Sequence, residues 1–303
     1  MPGSTVAVVM PMRLLKVPKQ ALAWYATMAR KRRTNSRNRA RSHVRTPYDL
    51  GLEGRVVLVT GGVRGVGAGI SQVFADQGAT VVTCARRPGD APYEFHSCDV
   101  RDEESVDTLI GAIVAAHGRL DAVVNNAGGA PFALAADASH NFHRKIIELN
   151  LLSALLVSQR ANAVMQKQDG GGTIVNITSV SAGRPSPGTA AYGAAKAGLE
   201  SLTRSLAVEW APKVRVNALA AGMIRTELSE MHYGDEDGIA AVGATVPLGR
   251  LANPDEIGWT AAFLASPLSS YVTGSVLTVH GGGERPAFLD AANVNSNENG
   301  EKE

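Results

Sequence analysis

The chain has 303 residues, of which 45% are hydrophobic, 19% are charged and 32 are glycine. This balance excludes a disordered or fibrous protein and is typical of a globular protein with many tight turns. Two cysteines, Cys84 and Cys98, are too few for a disulfide framework, so we expect both to be reduced packing residues. The length allows one large α/β domain or two small ones, and we expect a cytoplasmic enzyme.

The net charge of +2 hides an uneven distribution along the chain. Residues 1–50 contain eleven Lys or Arg and one acid, whereas the rest contain 19 basic and 27 acidic side chains. Like charges at this density repel one another, so we expect a solvated, disordered basic arm. Basic residues also interrupt its apolar runs, and no transmembrane segment is predicted. The arm is interpreted as a dispensable tail or the product of an early start codon. The alternatives are a targeting segment, or an amphipathic segment over residues 14–28 that contacts anionic lipid or nucleic acid.

From Leu52 onward, short β-branched runs alternate with longer segments of helical pattern. Several runs are continuously apolar, as expected when helices cover both faces of a parallel sheet. We predict one Rossmann-type α/β domain over residues 51–285, with a doubly wound, seven-stranded parallel sheet, followed by a polar tail over 286–303. The predicted strands are Val56–Thr60, Thr80–Cys84, Glu94–Cys98, Asp121–Asn125, Thr173–Ile177, Val214–Leu219 and Val276–Val279.

A glycine-rich turn follows the first predicted strand. Residues 60–67 read Thr-Gly-Gly-Val-Arg-Gly-Val-Gly and lead into a predicted helix over residues 65–77, which Gly78 ends. Glycines at such a turn let backbone amides approach a pyrophosphate, which the positive end of the helix attracts. A purely structural turn could use the same residues, but its position after the first strand of an alternating pattern favours a dinucleotide site.

Two further motifs follow in order along the chain. Residues 125–128 read Asn-Asn-Ala-Gly after the fourth predicted strand, and Tyr192 and Lys196 come after the fifth. Together with the Gly-x-x-x-Gly-x-Gly spacing of the first turn, these motifs resemble the classical short-chain dehydrogenase/reductase family, in particular its 3-oxoacyl reductase and hydroxysteroid dehydrogenase members. The resemblance extends from about Leu52 to Gly282. It implies a nicotinamide cofactor and an oxidoreductase activity.

The resemblance also implies which residues bind the cofactor. Where the family usually has an acid for the adenosine ribose, this chain has Ala85, followed by Arg86. An acid would repel a 2′-phosphate, whereas Arg86 and Arg64 could bind one, so we expect NADP(H) to be favoured. The alternative is that Arg86 is a solvated loop charge and that NAD(H) binds. The other implied residues are Thr60, Gly61, Gly65, Val66, Gly67, Asp99, Val100, Asn126, Ala127, Gly128, Tyr192, Lys196, Gly222, Ile224 and Thr226.

Tyr192 and Lys196 lie four residues apart on a helix predicted over residues 189–210, so they share one of its faces. Such a pair is usually a weak surface contact, but here the surrounding residues are small and allow close approach. Hydride transfer to a carbonyl carbon must be matched by proton transfer at the oxygen. Tyrosine, with a pKa near 10, becomes a usable base when a nearby ammonium favours its phenolate. In the family the lysine also binds the nicotinamide ribose.

Two more residues complete the catalytic set that the family implies. Ser179, just past the fifth predicted strand, would donate a hydrogen bond to the substrate oxygen and hold it near Tyr192. Asn150, predicted in the middle of a helix, matches a residue that supports a water relay toward Lys196. Asp99 matches the residue that contacts the adenine ring, although it could instead cap the helix that begins near Asp102.

The chain departs from the family pattern at two positions. Ala221 replaces a proline, which loosens the loop over the nicotinamide, and His280 replaces an aspartate near the C-terminal subunit contact. No metal site is expected. Residues 227–246, with help from residues 131–142, are expected to select the substrate, and their composition suits a bulky ketone or alcohol such as a steroid-like ring or a 3-oxoacyl thioester.

We therefore predict an enzyme that transfers hydride between NADP(H), or NAD(H), and a ketone or secondary alcohol. The alternative is a dinucleotide-binding regulator, or a binder of nucleic acid or membrane surfaces that acts through the basic arm. No nucleic-acid partner is expected under the leading hypothesis. The helix over residues 189–210 is apolar or small on most of its circumference, so we expect a second subunit to cover part of it in a homodimer or homotetramer.

Overall fold

The computed structural model describes residues 49–90 and 92–291. All but the last two residues of the predicted basic arm, the segment 14–28 and most of the predicted polar tail lie outside the described residues. Leu50, at the end of the predicted arm, is buried in the core with Leu52. The described residues from Leu50 onward belong to one compact unit.

Seven parallel strands form one sheet with the order β3-β2-β1-β4-β5-β6-β7. The predicted Rossmann-type, doubly wound fold is therefore confirmed. The order reverses between β1 and β4, which is where ligands bind in open α/β sheets. The strands are β1 Val56–Thr60, β2 Thr80–Ala85, β3 Glu94–Ser97, β4 Ala122–Asn125, β5 Gly172–Ser179, β6 Val214–Ala221 and β7 Val276–Val279.

Helices connect the strands. One π-helical turn, Glu148–Leu152, and two 3₁₀ turns, Val180–Ala182 and Pro267–Ser269, interrupt the α-helical pattern. In the described part of the chain, no helix is long and apolar enough to cross a membrane. The α-helices are α1 Gly65–Asp76, α2 Glu103–His117, α3 His140–Ile147, α4 Ser153–Met165, α5 Ala190–Glu209, α6 Ser229–Tyr233, α7 Glu236–Ala244, α8 Pro254–Ala265 and α9 Ala287–Ala291.

The central strands are apolar on both faces because each face supports its own core. Val57 and Val59 of β1 belong to the cluster that α1 and α8 cover, whereas Leu58 belongs to the cluster on the opposite face. All three side chains are fully buried. This arrangement explains the continuous apolar runs in the sequence, since neither face of a strand remains for water.

The ends of β5 and β6 lie beyond the predicted apolar runs. Thr178 pairs with Ala220, and Ser179 pairs with Ala221, so both strands extend two residues further than expected at their carboxyl ends. β5 also begins one residue earlier, at Gly172. Backbone hydrogen bonds between neighbouring strands continue where the side chains are no longer large and apolar. Ser179 is therefore the last residue of β5, where a strand holds it in place, rather than a residue of the following loop.

Candidate functional site

A cavity of about 430 Å³ lies at the carboxyl ends of the strands, where the strand order reverses. Its walls bring together segments that are far apart in the sequence, including the glycine-rich turn, the ends of β2 and β3, and the face of α5 that carries Tyr192. Sixteen of the residues implied for cofactor binding line it, namely Gly61, Arg64, Gly65, Val66, Gly67, Arg86, Asp99, Val100, Asn126, Ala127, Gly128, Tyr192, Lys196, Gly222, Ile224 and Thr226.

The glycine-rich turn leads directly into α1. Gly65 has a positive φ of 52°, which favours glycine, and a Cβ at Gly67 would collide with the carbonyl oxygen of Gly61. Arg64 precedes the helix without a capping bond from its side chain, and no acid occupies the first turn. The N–H groups and the positive dipole end of α1 are therefore available to an anion in the cavity, as a pyrophosphate requires.

Thr60 is implied in cofactor binding but does not line this cavity. Its buried hydroxyl accepts hydrogen bonds from the backbone N–H groups of Asn126 and Ala127, each at 3.0 Å, and donates one to the Val124 carbonyl at 3.4 Å. Thr60 thus joins the end of β1 to the segment after β4. Its contribution is to hold Asn126 and Ala127, which do line the cavity.

Basic residues line the end of the cavity that lies next to the carboxyl ends of β2 and β3. Arg64 and Arg86 both line it, and Ala85 provides no acid at the end of β2. Asp99 lines the same end, and Arg101 holds its carboxylate through two bonds of 2.9 and 2.6 Å. This pairing lowers the pKa of Asp99. Sequence reasoning missed Arg101, although its position two residues after Asp99 in a tight turn is a usable signal.

The alternative role for Asp99, as a helix cap, is wrong. Asp102 is the residue before α2, and its side chain accepts a hydrogen bond from the Ser105 N–H at 2.8 Å. Within the described residues, the carboxylate of Asp99 accepts hydrogen bonds from the backbone and the guanidinium of Arg101 and from no N–H group of α2. Asp99 therefore remains part of the cavity wall.

Tyr192 and Lys196 lie on the face of α5 that borders the cavity. The ammonium nitrogen of Lys196 lies 5.6 Å from the centre of the Tyr192 ring and donates a hydrogen bond to the Ile177 carbonyl at 2.8 Å. Lys196 is only 3% exposed, which is rare for a lysine without a carboxylate partner. It is therefore held against β5, two residues before Ser179.

The electrostatics of this pair differ from the expectation in one respect. Burial raises the pKa of Tyr192, and a hydrogen bond with Ser179 opposes that shift. Burial also lowers the pKa of Lys196 to about 8. The expected lowering of the tyrosine pKa by the lysine is not seen. The ammonium bonds to the Ile177 carbonyl and lies over the face of the ring. The pKa of Lys196 therefore moves toward neutral pH, whereas the pKa of Tyr192 moves away from it.

Asn150 stands one layer behind the cavity wall. It lies in the π-helical turn Glu148–Leu152 rather than in a regular helix, and it is almost completely buried. Its side-chain oxygen accepts from the Gly129 N–H at 2.8 Å, and its amide donates to the Gly129 carbonyl at 2.9 Å. A Cβ at Gly128 would lie 2.7 Å from this oxygen and 3.3 Å from the Lys196 nitrogen. Asn150 therefore packs against the segment that separates it from Lys196.

The cysteines are free and buried, as expected. Cys84 lies in β2, Cys98 directly follows β3, and both line the cavity. A hydrogen bond from Cys84 lowers the pKa of Cys98 to about 7, while the same contact raises the pKa of Cys84. Within residues 49–90 and 92–291, no group of three or more His, Cys, Asp or Glu side chains could hold a metal ion.

Sequence matches to known proteins extend over most of the chain. The family model described as enoyl-(acyl carrier protein) reductase matches residues 61–284. The 3-oxoacyl-[acyl-carrier-protein] reductase of Vibrio cholerae is 37% identical over 244 residues, which are 77% of this chain and 98% of that protein. The D-threitol dehydrogenase of Mycolicibacterium smegmatis is 34% identical over 248 residues, covering 78% and 95% respectively.

A solved structure agrees with these sequence matches. The aldohexose dehydrogenase of Thermoplasma acidophilum superimposes with a TM-score of 0.74 at 33% identity, covering 77% of this chain and 94% of that one. The family match therefore includes the glycine-rich turn, the cavity and the helix of Tyr192 and Lys196. On these grounds the chain belongs to the classical short-chain dehydrogenase/reductase family of oxidoreductases.

Proposed function

We propose that this oxidoreductase transfers hydride between a nicotinamide cofactor, NADP(H) in preference to NAD(H), and a ketone or secondary alcohol. The observation that carries the proposal is the convergence of Ser179, Tyr192 and Lys196 on the cavity that begins at the glycine-rich turn. A proton donor and a phosphate-binding helix end share one cavity there. A reaction that couples hydride transfer to proton transfer needs both.

The residues of the cavity fit a dinucleotide. The uncapped N-terminus of α1 offers backbone donors for a pyrophosphate, and the basic wall below β2 offers guanidinium groups for an adenosine phosphate. When bound, the nicotinamide supplies or accepts the hydride. Tyr192 and Lys196 border the opposite end of the cavity, so the chain itself must handle the proton at the substrate oxygen.

Each catalytic residue has a separate task in this proposal. Ser179, fixed at the end of β5, donates a hydrogen bond to the substrate oxygen. Tyr192 gives its hydroxyl proton to that oxygen during ketone reduction and takes it back during alcohol oxidation. Lys196, with its ammonium 5.6 Å from the centre of the ring, would offset the negative charge of the phenolate that remains, against the opposing effect of burial on the pKa of Tyr192. Asn150 positions the segment around Gly129 and supports Lys196 from behind.

The proposed preference for NADP(H) rests on charge. Arg64 and Arg86 line the adenosine end of the cavity, and Ala85 stands where an acid would repel a 2′-phosphate. Asp99, which lies nearby, is neutralised by Arg101. A doubly charged phosphate would therefore meet two guanidinium groups that form no ion pair with a carboxylate within the described residues.

The test is ketone reduction followed through the loss of NADPH absorbance. We expect the protein to reduce a ketone and the Tyr192→Phe variant to lose at least about a hundredfold in kcat, because the ring remains while the proton donor is removed. Tyr271→Phe is the matched control, since Tyr271 is fully exposed. Equal turnover by wild type and Tyr192→Phe would contradict the proposed mechanism. Unchanged NADPH affinity in a fluorescence titration would show that the variant is folded.

We also propose that the protein forms a homodimer or homotetramer. Leu152 and Val208 are large apolar side chains that remain exposed, as do Trp259 and Phe263 of α8. A second copy of the chain would remove this surface from water. Sedimentation at micromolar concentration is expected to give a mass above that of one chain, and a monomer would contradict the proposal.

A further inference from the structure

A second cavity, of about 390 Å³, opens beside the reaction centre. It shares Ser179 and Gly222 with the cofactor cavity. A molecule whose reacting carbon lies at Ser179 can therefore extend into it. The volume is within the usual range for small-molecule sites.

A cluster of charged side chains lies in its wall, beside apolar side chains such as Val180, Met223 and Val276. Arg184, from the segment after β5, pairs with Glu284, from the segment after β7, at 2.6 Å. Both side chains remain more than a third exposed, so part of their hydrogen-bonding capacity faces solvent. His280 lines the cavity nearby. The wall of this cavity therefore combines apolar side chains with a cluster of charged ones.

A second carboxylate lines the same cavity. Glu200 of α5 accepts a hydrogen bond from the Thr178 hydroxyl at 3.1 Å. Thr178 is buried and belongs to β5, so Glu200 is held by the sheet. The lining thus carries one guanidinium and two carboxylates, Glu200 and Glu284.

The ion pair is fixed where three segments meet. Burial raises the pKa of Tyr233, at the end of α6. Arg184 lowers this pKa and Glu284 raises it, so Tyr233 lies near both partners. α6 belongs to the region that the sequence predicts will select the substrate. The pair therefore lies between the catalytic serine and that region.

The chemistry of this lining favours one class of molecule. An apolar group would cover Arg184, Glu200 and Glu284 without replacing their hydrogen bonds to water, which is costly. An anion would meet two carboxylates against one guanidinium that is already paired. Hydroxyl groups can accept from Arg184 and donate to the carboxylates, so a neutral molecule with several of them satisfies every group.

We propose that the second cavity binds the hydroxyl groups of a small, neutral polyhydroxylated alcohol, or of the corresponding ketone, and so selects the substrate. The proposal rests on the function proposed above and names the substrate class of the same site. This class differs from the bulky apolar molecules that the sequence suggests. The difference arises because Arg184 and Glu284 come together only in the folded chain.

Three six-carbon secondary alcohols with NADP⁺ separate the possibilities. D-glucitol carries hydroxyl groups along its chain, hexan-2-ol carries none beyond the reacting one, and 5-hydroxyhexanoate carries a negative charge. We expect kcat/KM to be at least about tenfold higher for D-glucitol than for the other two. A preference for hexan-2-ol or 5-hydroxyhexanoate would overturn the proposal while leaving the hydride-transfer function intact.

Two variants assign the preference to the charged lining. Arg184→Met keeps the length of the side chain, and Glu284→Gln keeps its shape. In each, the ratio of kcat/KM for D-glucitol to that for hexan-2-ol is expected to fall about tenfold. Arg204→Met, on the exposed face of α5, is the matched control and is expected to leave this ratio unchanged. Equal losses for all three alcohols in Arg184→Met would overturn the proposal.

A binding measurement keeps this inference separate from the reaction itself. The Tyr192→Phe variant, saturated with NADP⁺, is expected to gain thermal stability as D-glucitol is added, because a ligand that binds the folded state raises Tm. The double variant Tyr192→Phe with Arg184→Met is expected to lose this gain. If Tyr192→Phe gains nothing, the polyol site is wrong even where ketones are reduced. If it gains stability but the wild type turns over no alcohol or ketone, the proposed function is wrong and the polyol site stands.

Discussion

The side-chain amide of Asn150 pairs with both backbone polar groups of Gly129, accepting from its N–H at 2.8 Å and donating to its carbonyl at 2.9 Å. A third bond, 3.0 Å long, joins the same amide to the Ile146 carbonyl. The Asn150 side chain thus joins the loop after β4 to the π-helical turn Glu148–Leu152 through a donor and an acceptor, the same pair of groups that a neighbouring backbone would offer. The adjoining residue, Gly128, lies against Lys196.

This pairing predicts different effects for two substitutions. Asn150→Ala is expected to lower the free energy of unfolding by about 2 kcal/mol, because it removes three hydrogen bonds from an almost fully buried position. Asn150→Asp keeps the acceptor for Gly129 but replaces the donor by a charge that faces two carbonyl oxygens. Folding raises the pKa of such a carboxyl, so the variant is expected to regain stability as pH falls and the protonated group donates again. Urea unfolding between neutral and acidic pH measures both, and an Asp variant that loses stability relative to wild type on acidification would contradict this account.

Gly128 is predicted to tolerate no side chain. The Cβ of Gly128→Ala would lie 2.7 Å from the Asn150 oxygen, whose amide cannot move aside without losing its bonds to Gly129. We expect a loss of about 1–3 kcal/mol of stability and weaker binding of NADP(H), since Lys196 must also shift. Gly111→Ala is the control, because Gly111 lies in α2 with open space around it and alanine favours helices by about 1 kcal/mol. Equal stability changes for the two variants, measured by urea unfolding, would contradict the prediction.

The charge of the adenosine end predicts the cofactor preference. Ala85→Asp is expected to lower the ratio of NADP⁺ to NAD⁺ affinity by at least about tenfold, because it places a carboxylate beside the 2′-phosphate. Arg86→Ala is expected to weaken the binding of NADP⁺ and leave that of NAD⁺ nearly unchanged. Arg87, which follows it but does not line the cavity, provides the control. Isothermal titration of both dinucleotides measures the ratio, and equal effects of Arg86→Ala and Arg87→Ala would rule out the proposed role of Arg86.

Lys196 predicts a pH dependence of stability. Its pKa is about 8 in the folded protein and near its ordinary value in the unfolded chain, so the unfolded chain binds more protons between these two values. Stability relative to a variant without this group therefore rises with pH in that window, by about 2 kcal/mol between pH 7 and pH 9.5. The comparison is with Lys196→Met, measured by urea unfolding at several pH values. A constant difference between the two proteins over this range would contradict the prediction.

The sequence predicted the strands well because the parallel sheet is buried on both faces. Runs such as Val56–Thr60 have no other interpretation when helical segments lie between them. The predicted ends of the strands were less accurate, because backbone pairing with the neighbouring strand decides where a strand ends. Thr178 and Ser179 continue β5 because Ala220 and Ala221 run beside them, and nothing in the residues themselves indicates this pairing.

The candidate site was predictable only where its residues form a motif. Tyr192, Lys196 and the glycine-rich turn have short, ordered spacings, and the structure brings them to one cavity. The pair of Arg184 and Glu284 has no such signal, because a hundred residues separate its members. Thr60 illustrates the opposite case, in which a motif residue supports the cavity from behind rather than lining it.

The π-helical turn Glu148–Leu152 has a consequence for how one stretch of chain can serve two purposes. One extra residue in a helix rotates everything that follows by about 100°. The turn itself can therefore aim Asn150 at the loop after β4, while α4 beyond it directs Val157 and Ala161 into the core. Deleting one residue from the turn would restore a regular helix but send one of these two sets of side chains toward the wrong neighbour. The contact with the loop after β4 and the packing of the core thus come from different faces of one continuous helical segment.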